Sequence, residues 1–333
     1  MTRLLLLPLS LIAVAIASLT IGRYPLTLYE LAAFLGAQVG VVAMPQERAD
    51  LVFNILVEIR LPRVLAAALI GAALSTSGAA FQAVFRNPLV SPGILGVLGG
   101  ASFGAALGIL FSRSWLVVQM SAFVFGVAAV MAGVFVANLF GRASIVMLIL
   151  GGMISGAFFT SLLSILKYAA DPNDQLPAIV YWLMGSLSGL DLSQISVAAP
   201  PMLVGITLLS FLGRALDALS MGDDEARALG VPVERVRYSV IAVATLASSL
   251  SVALAGMIGW VGLVVPHAAR LLLGPMNSRL LPASAFLGAI FLVLADCLAR
   301  NVAVAEIPIG IITELLGVPC FVLVLRHARR AWL

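Results

Sequence analysis

Residues whose chemistry could support catalysis or metal binding are few in this chain. Lys167 is its only lysine, so the chain has no Gly-Lys-Ser/Thr phosphate loop and cannot hydrolyse ATP by that route. Its two histidines, His267 and His327, have no neighbouring ligand cluster, and a histidine placed like His267, directly after a proline, is more often structural than a metal ligand. We therefore expect no catalytic residue and no metal site, so energy for any work must come from a partner or an ion gradient.

One serine lies in a pattern that resembles a nucleophile motif. Residues 100–104 have the sequence Gly-Ala-Ser-Phe-Gly, which matches Gly-x-Ser-x-Gly with Ser102 at its centre. That motif requires a sharp strand-to-helix turn. Here it overlaps glycines at a spacing of four, a pattern that lets membrane helices approach closely: Gly96, Gly100, Gly104 and Gly108. Helix packing is therefore the favoured interpretation, and an intramembrane serine hydrolase is the alternative.

The composition predicts that these residues lie in membrane-spanning helices. The chain has 333 residues, of which 62% are hydrophobic and only 10% are charged, whereas soluble domains have roughly 25% charged residues. Several runs lack any Asp, Glu, Lys or Arg over lengths sufficient to cross a bilayer as a helix: 64–85, 87–112, 114–141, 143–166 and 238–269. The runs are continuous rather than alternating, which excludes a membrane β-barrel. We expect an all-α polytopic membrane protein.

The sequence predicts about ten spans. They are 4–22, 62–85, 93–111, 115–139, 144–167, 192–213, 238–256, 262–272, 280–299 and 309–326. The first is longer than the apolar core of a cleaved signal peptide, which is the alternative for that segment. The eighth is short and contains Pro266, so it must lie against protein rather than lipid.

Basic residues give the orientation. With both termini in the cytoplasm, twelve basic residues fall inside and seven outside, as the positive-inside rule favours. The net charge of +4 thus indicates topology rather than nucleic-acid binding. Segments 23–61 and 168–191 are too polar to cross and lie outside, the second with a short helix over 177–190. Arg60, Arg63 and Arg300 lie at span ends on the side that should be depleted of arginine, which suggests a task for them.

The densest charge lies in a predicted cytoplasmic loop, 214–237, which holds nine charged residues. Gly222 and Asp223 are suited to start a short helix, Gly230 to end it, and Pro232 to open the next one. A solvated loop is one interpretation. The favoured one is a rigid docking element for a cytoplasmic partner, because a flexible tether needs no helix start and stop signals.

Motifs along nearly the whole chain resemble one family. They are Arg60-Leu61-Pro62-Arg63, Arg86-Asn87-Pro88-Leu89, Trp182-Leu183-Met184-Gly185, the loop from Met221 to Pro232, Gly256 to Arg270, and Pro308 to Pro319. In this order they resemble the binding-protein-dependent ABC permeases for iron-siderophores, haem and cobalamin. The resemblance implies the type II importer fold, with residues 1–333 as one permease domain in the bacterial inner membrane and moving its cargo from periplasm to cytoplasm.

The resemblance also implies partners and sites. The partners are a second copy of the chain, two cytoplasmic ATPase subunits that hold ATP and Mg, a periplasmic substrate-binding protein and the lipid membrane; this chain itself holds no cofactor. ATPase docking falls to Gly222, Asp223, Asp224, Glu225, Arg227, Ala228, Leu229, Gly230 and Val231. Arg60, Arg63 and Arg300 would receive acidic residues of the binding protein. Asn87 and Leu89 would form the pathway constriction, and Ser144, Ile145 and Val146 the cytoplasmic gate.

Two departures and two open points accompany this assignment. The turn 274–278 lacks the charges usual in the family, and the gate residues Ile145 and Val146 are apolar where the cobalamin permease has hydroxyls. Glu314 is an unusual acid for the last span and is either a partly wetted helix-start carboxyl or a pathway residue. An ion-coupled secondary transporter is the alternative function, with Asp296 and Glu314 as its candidate acids, although Asp296 also fits an ion pair with Arg300 four residues later.

Overall fold

The computed structural model describes residues 2–112, 114–139 and 144–332, with side chains between Leu6 and Leu323. Within these ranges the chain forms fifteen α-helices and no strand, which agrees with the all-α prediction. The helices are α1 (Thr2–Thr20), α2 (Leu28–Gln38), α3 (Gln46–Phe53), α4 (Leu61–Val84), α5 (Val97–Phe111), α6 (Trp115–Asn138), α7 (Ile145–Ala169), α8 (Gln175–Leu183), α9 (Leu192–Phe211), α10 (Gly213–Met221), α11 (Asp223–Ala228), α12 (Val233–Ala255), α13 (Val261–Leu273), α14 (Asn277–Asn301) and α15 (Ile309–Trp332).

Six helical segments of the described chain are long and apolar enough to cross a membrane. They are Gln46–Val84, in which a π-helical stretch joins α3 to α4, together with α6, α7, α9, α12 and α14. Four shorter apolar helices coincide with the other predicted spans: Leu6–Thr20, Val97–Phe111, Val261–Leu273 and Ile309–Leu323. Six of the ten predicted spans are therefore long and apolar enough to cross a membrane, and the other four correspond to the shorter helices.

Helix α4 lies at the centre of the bundle. Within its apolar window 83% of the residues are buried, against 67% for α12, 56% for α14 and only 28% for α7 and for α9. Glycines allow this central position, because a Cβ atom at Gly71 would overlap the carbonyl oxygen of Gly288 in α14, and one at Gly78 would overlap that of Gly262 in α13. The bundle therefore has an inner layer of α4, α12 and α14 with the other helices around it.

The glycine stripe of α5 packs as its spacing predicts. Added Cβ atoms at Gly100 and Gly104 would overlap backbone oxygens of α6, and one at Gly108 would lie 2.8 Å from the Cα of Val118. Ser102 lies in the middle of this helix, is 2% exposed, and its hydroxyl is 3.2 Å from the sulfur of Met257. It has none of the geometry of a nucleophile elbow, so the serine hydrolase alternative is wrong.

The two polar segments contain short helices. Segment 23–61 holds α2, whose start is a capping box between Thr27 and Glu30, and then α3. In segment 168–191 the helix α8 ends at Leu183, earlier than the predicted 177–190, because Gly185 and Gly189 adopt positive φ angles of 73° and 79°. The short helix α13 is confirmed as a helix that lies against protein, with Pro266 buried.

Candidate docking and transport sites

The predicted docking loop folds as a short helix between two glycine turns. Gly222 precedes α11 with φ 142°, and Gly230 follows it with φ 80°, both in the region that favours glycine. Pro232 then forms the N-cap of α12. The helix–turn–helix that Gly222, Gly230 and Pro232 predict is confirmed.

Most of the predicted docking residues on α11 face outward. The side chain of Asp224 is 93% exposed and pairs within the helix to Arg227 at 2.9 Å. Glu225, Ala228 and Gly230 are also exposed, and Leu229 is 64% exposed although it is a large apolar residue. Ala226 is fully buried and anchors the helix. Of the remaining predicted residues, Gly222 is buried and Val231 half-buried.

Asp223 faces inward, unlike its neighbours. Its Oδ1 accepts from Arg86 at 3.0 Å and its Oδ2 from Arg237 at 2.8 Å, and Arg237 is 5% exposed on α12. Partial burial would raise the pKa of Asp223, but the hydrogen bond from Arg237 and the charges of Arg237 and Arg86 outweigh it, so the pKa is lowered. No sequence pattern identifies either arginine as a partner of Asp223 beyond its charge.

The predicted constriction residues lie in the turn that follows α4. The side chain of Asn87 accepts a hydrogen bond from the backbone N–H of Leu89 at 2.9 Å, and Leu89 is 53% exposed. At the start of α7, Ser144 caps the helix by accepting from the N–H of Met147 at 3.2 Å. Of the two constriction residues, Asn87 is half-buried, whereas Leu89 is exposed and points away from the protein interior.

The predicted gate residues differ in their surroundings. Val146 is 63% exposed and Ser144 is also exposed, whereas Ile145 is half-buried. Ile145 packs on the same hydrophobic cluster that contains Phe85 and Val90, the residues on either side of the constriction turn. One apolar core therefore supports both the turn after α4 and the start of α7.

The three arginines predicted to receive the binding protein come together, but they are buried. Arg60 is 4% exposed and donates to the carbonyl oxygens of Leu19, at 2.6 Å, and Tyr24. Arg63 and Arg300 are each 7% exposed. The expectation of an accessible cationic pocket is therefore not met in the isolated chain, where each guanidinium has a partner within the protein.

Asp296 holds two of these arginines. It is fully buried, and Arg63 Nε donates to its Oδ1 at 2.6 Å. Arg300 Nε lies 3.0 Å from Oδ2 in ion-pair contact, which confirms the Asp296–Arg300 pair, and Arg300 also donates to the hydroxyl of Ser18 at 2.8 Å. Glu306, which sequence reasoning missed, accepts from Arg63 Nη1 at 2.7 Å while its side chain stays 37% exposed.

The remaining candidates have simpler surroundings. Glu314 is exposed on α15, and its carboxylate lies 3.8 Å from the Cβ position of Gly259. The ring of His267 bonds through Nδ1 to the carbonyl of Leu263 at 2.9 Å, a structural contact. In the turn 274–278 the carboxylate of Asp217 accepts from backbone N–H groups of Asn277 and Ser278. Within the described ranges no group of three His, Cys, Asp or Glu could hold a metal ion.

Comparisons with known proteins agree with this architecture. The model of the FecCD transport family matches residues 10–327. The molybdate import system permease MolB of Haemophilus influenzae is 38% identical over 315 residues, covering 95% of this chain and 92% of that protein. The hemin transport system permease HmuU of Yersinia pestis is 38% identical over 285 residues, covering 84% of this chain and 85% of that protein.

A solved structure gives the same result for the fold. An inward-facing ABC transporter of the metal-chelate type superposes with a TM-score of 0.86 at 38% identity, covering 98% of this chain and 99% of that one. The resemblance found in the motifs is thus confirmed over nearly the full length. This chain belongs to the FecCD transport family and is a multi-pass permease subunit of the ABC transporter class.

Proposed function

We propose that the chain is the translocating subunit of an ATP-driven importer that carries an iron chelate, haem, cobalamin or a related metal complex into the cytoplasm. The observation that carries this proposal is the full-length match to a metal-chelate-type transporter combined with an outward-facing helix between two glycine turns. The molybdate permease among its relatives adds a metal oxyanion as a cargo to be tested. Element and ligand analysis of the complex purified from growing cells would identify the cargo.

The proposed topology has ten crossings in the bacterial inner membrane, with both termini in the cytoplasm and 168–191 on the periplasmic side. Four crossings would be formed by the shorter apolar helices, packed against neighbouring helices. A second copy would cover part of the outer surface. The large exposed apolar residues of α7 support this, because Met153, Ile154 and Phe158 are each more than half exposed in the single chain.

Two ATPase subunits, which would hold ATP and Mg, are proposed to dock on α11 within 214–237. Exposure of Asp224, Glu225 and Leu229 beside the buried anchor Ala226 supports a rigid presented helix. Gly230→Val tests this role, because a β-branched residue strains a backbone at φ 80°. We expect the permease to fold while ATP hydrolysis by the retained ATPase no longer drives uptake.

Gly189→Val is the matched control for this test. Gly189 has φ 79°, and like Gly230 it has no atom within 4 Å of a Cβ position, so both variants impose the same backbone strain without a clash. The control should lower stability equally and leave ATP-driven uptake coupled. Equal uptake per ATP in both variants, with the ATPase bound, would refute docking on α11.

The binding protein is proposed to dock at the end of the bundle that carries Arg60, Arg63 and Arg300. Because Arg63 already binds Glu306, a carboxylate from the binding protein can reach it only by replacing this partly exposed side chain. Glu306→Gln should therefore tighten association of the binding protein, measured by titration on the reconstituted permease. Weaker association would instead show that Glu306 itself contributes to the docking surface.

The energy source separates the proposal from an ion-coupled transporter. Asp296, one candidate acid for ion coupling, is held by Arg63 and Arg300, which does not favour a mobile proton site. We expect uptake into proteoliposomes to require the ATPase and ATP, and to continue after an ionophore collapses the proton gradient. Uptake that stops with the gradient and persists without the ATPase would support the alternative.

A further inference from the structure

The turn after α4 contains an arginine at a position that usually favours glycine. Arg86 has φ 49°, and it is one of two non-glycine residues with positive φ in the described ranges. The N–H of Asn87 bonds to the carbonyl of Gln82 at 3.1 Å and that of Arg86 to Ala83 at 3.2 Å. These two bonds form a Schellman motif, in which Arg86 occupies the left-handed position that most helices give to glycine.

The side chain of Arg86 explains why the turn tolerates this residue. Its guanidinium donates to Asp223, the first residue of α11, across 137 residues of sequence. The same carboxylate is held by Arg237, which is buried on α12. Asp223 is therefore fixed on one side to the inner layer of the bundle, and on the other to an exposed side chain in the turn that carries Asn87 and Leu89.

Within the described ranges, the other charged residues of α11 make no hydrogen bond or ion pair to the bundle. Asp224 and Arg227 pair with each other, and the carboxylate of Glu225 lies back against Gly222. Ala226 provides the apolar anchor, and its methyl side chain makes no directional contact. In the part of the chain that the structure describes, the Asp223–Arg86 pair is therefore the one hydrogen-bonded or ionic contact between α11 and the turn after α4.

We propose that Asp223 is a positioning residue that, through Arg86, couples the position of α11 to the conformation of the turn 85–90. Because Arg237 is buried and Arg86 is exposed, movement of α11 stretches or releases the Arg86 contact first. Release removes the contact that offsets the left-handed backbone of Arg86, so the turn relaxes and displaces Asn87 and Leu89. This inference rests on the proposed docking of an ATPase on α11.

The test uses the full importer in proteoliposomes, with ATPase retention, ATP hydrolysis and uptake measured together. Arg86→Gly removes the link but gives the turn its favoured residue, so the variant should be at least as stable as the wild type. Asp223→Asn keeps the size of the side chain and removes its charge. Each should lower uptake per ATP by about five-fold or more, the lower end of ordinary coupling effects, while the ATPase stays bound.

A double variant and a control complete the design. If Arg86 and Asp223 act through each other, combining both changes should lower uptake per ATP no further than Asp223→Asn alone. Glu47→Gln, which neutralises an exposed acid in the first turn of α3, outside the docking loop, should leave the ratio unchanged. Additive losses, or a loss equal to that of Glu47→Gln, would overturn the link.

The outcomes also separate this inference from the proposed function. If the wild-type permease retains no ATPase, or hydrolysis does not drive uptake, the docking proposal fails. If the wild-type complex is coupled and Arg86→Gly is equally coupled, only the link fails. A fall in thermal stability of Arg86→Gly that accompanies its loss of uptake would assign Arg86 to the fold, which also overturns the link.

Discussion

Replacing Asp296 with asparagine should show how strongly the buried ion pairs of Asp296 with Arg63 and Arg300 stabilise the bundle. The carboxylate joins α14 to α4 through Arg63 and faces Arg300 within its own helix. Asparagine keeps nearly the same volume and removes the negative charge. The two guanidiniums would then lie close together in the protein interior, where water cannot solvate them.

The contacts set the magnitude. Removing one member of a buried ion pair costs about 3–5 kcal/mol because the other charge is left uncompensated. Here Glu306 remains on Arg63, and the Ser18 hydroxyl remains on Arg300. We therefore expect the lower end, a loss of about 3 kcal/mol in the free energy of unfolding. On the scale of ordinary domains this lowers the unfolding temperature by roughly 5 °C or more.

Thermal unfolding of the detergent-solubilised permease measures this loss. Glu306→Gln is the matched control, because it removes a carboxylate from the same cluster at a side chain that is 37% exposed. Exposed pairs contribute only about 0.2–1 kcal/mol, so the control should unfold close to the wild type. The double variant Asp296→Asn with Arg63→Met should recover part of the loss, since it removes one of the two neighbouring positive charges.

Two results would refute this reasoning. The first is an Asp296→Asn permease that unfolds within about 1 kcal/mol of the wild type, which is the range of an exposed pair. The second is a double variant less stable than Asp296→Asn, because the loss would then come from missing contacts of Arg63 rather than from repulsion between the two guanidiniums.

Three further predictions concern packing, transport and pH. Gly104→Ala should destabilise the permease by about 1–3 kcal/mol because its Cβ would overlap α6, whereas Gly205→Ala, with 3.5 Å to the nearest atom, should stay within about 1 kcal/mol of the wild type in the same unfolding assay. Glu314→Gln should change the uptake rate at unchanged expression. A carboxylate within a membrane costs about 2.5–3.5 kcal/mol on insertion scales, so its presence in a proposed span indicates a role in the pathway. Unchanged uptake would identify Glu314 as a tolerated helix-start carboxyl. The pKa of Asp223 is lowered, so its ion pairs stabilise the fold fully at any pH above the ordinary pKa of 3.8. This stabilisation is lost only as the pH falls through the lower pKa of the folded state. Uptake per ATP should therefore be constant between roughly pH 5 and 8.

Local signals in the sequence were sufficient for much of this architecture. Runs without charge indicated where helices lie, and Gly222, Gly230 and Pro232 located the start and end of α11, since each acts on the backbone within a few residues. The spacing of Gly100 and Gly104 predicted a close helix contact for the same reason. These features depend on periodicity and on backbone conformation, which neighbouring residues determine.

Such local reasoning could not predict contacts between residues that are distant in sequence. Arg63 and Asp296 are 233 residues apart, and no local pattern indicates that α4 and α14 lie side by side. The unusual position of the arginines was visible in the sequence. In the structure, however, Arg63 and Arg300 contact Asp296, and Arg60 contacts backbone carbonyl oxygens. Asp223 was equally ambiguous, because an acid at a helix start suits the helix dipole whether it faces solvent or two arginines.

The central position of α4 has a consequence for how the chain is made. Ser75, Thr76 and Ser77 of this helix are fully buried against helices that are synthesised much later. At ordinary translation speeds of about 5–20 residues per second, the 233 residues between Arg63 and Asp296 take roughly 10–50 s to follow. During that interval Arg63 lacks its partner Asp296, and Ser75, Thr76 and Ser77 lack the helices that bury them. We therefore expect the insertion machinery to shield the early helices until α12 and α14 are synthesised. A nascent chain that stops before these helices should be a substrate for membrane proteolysis.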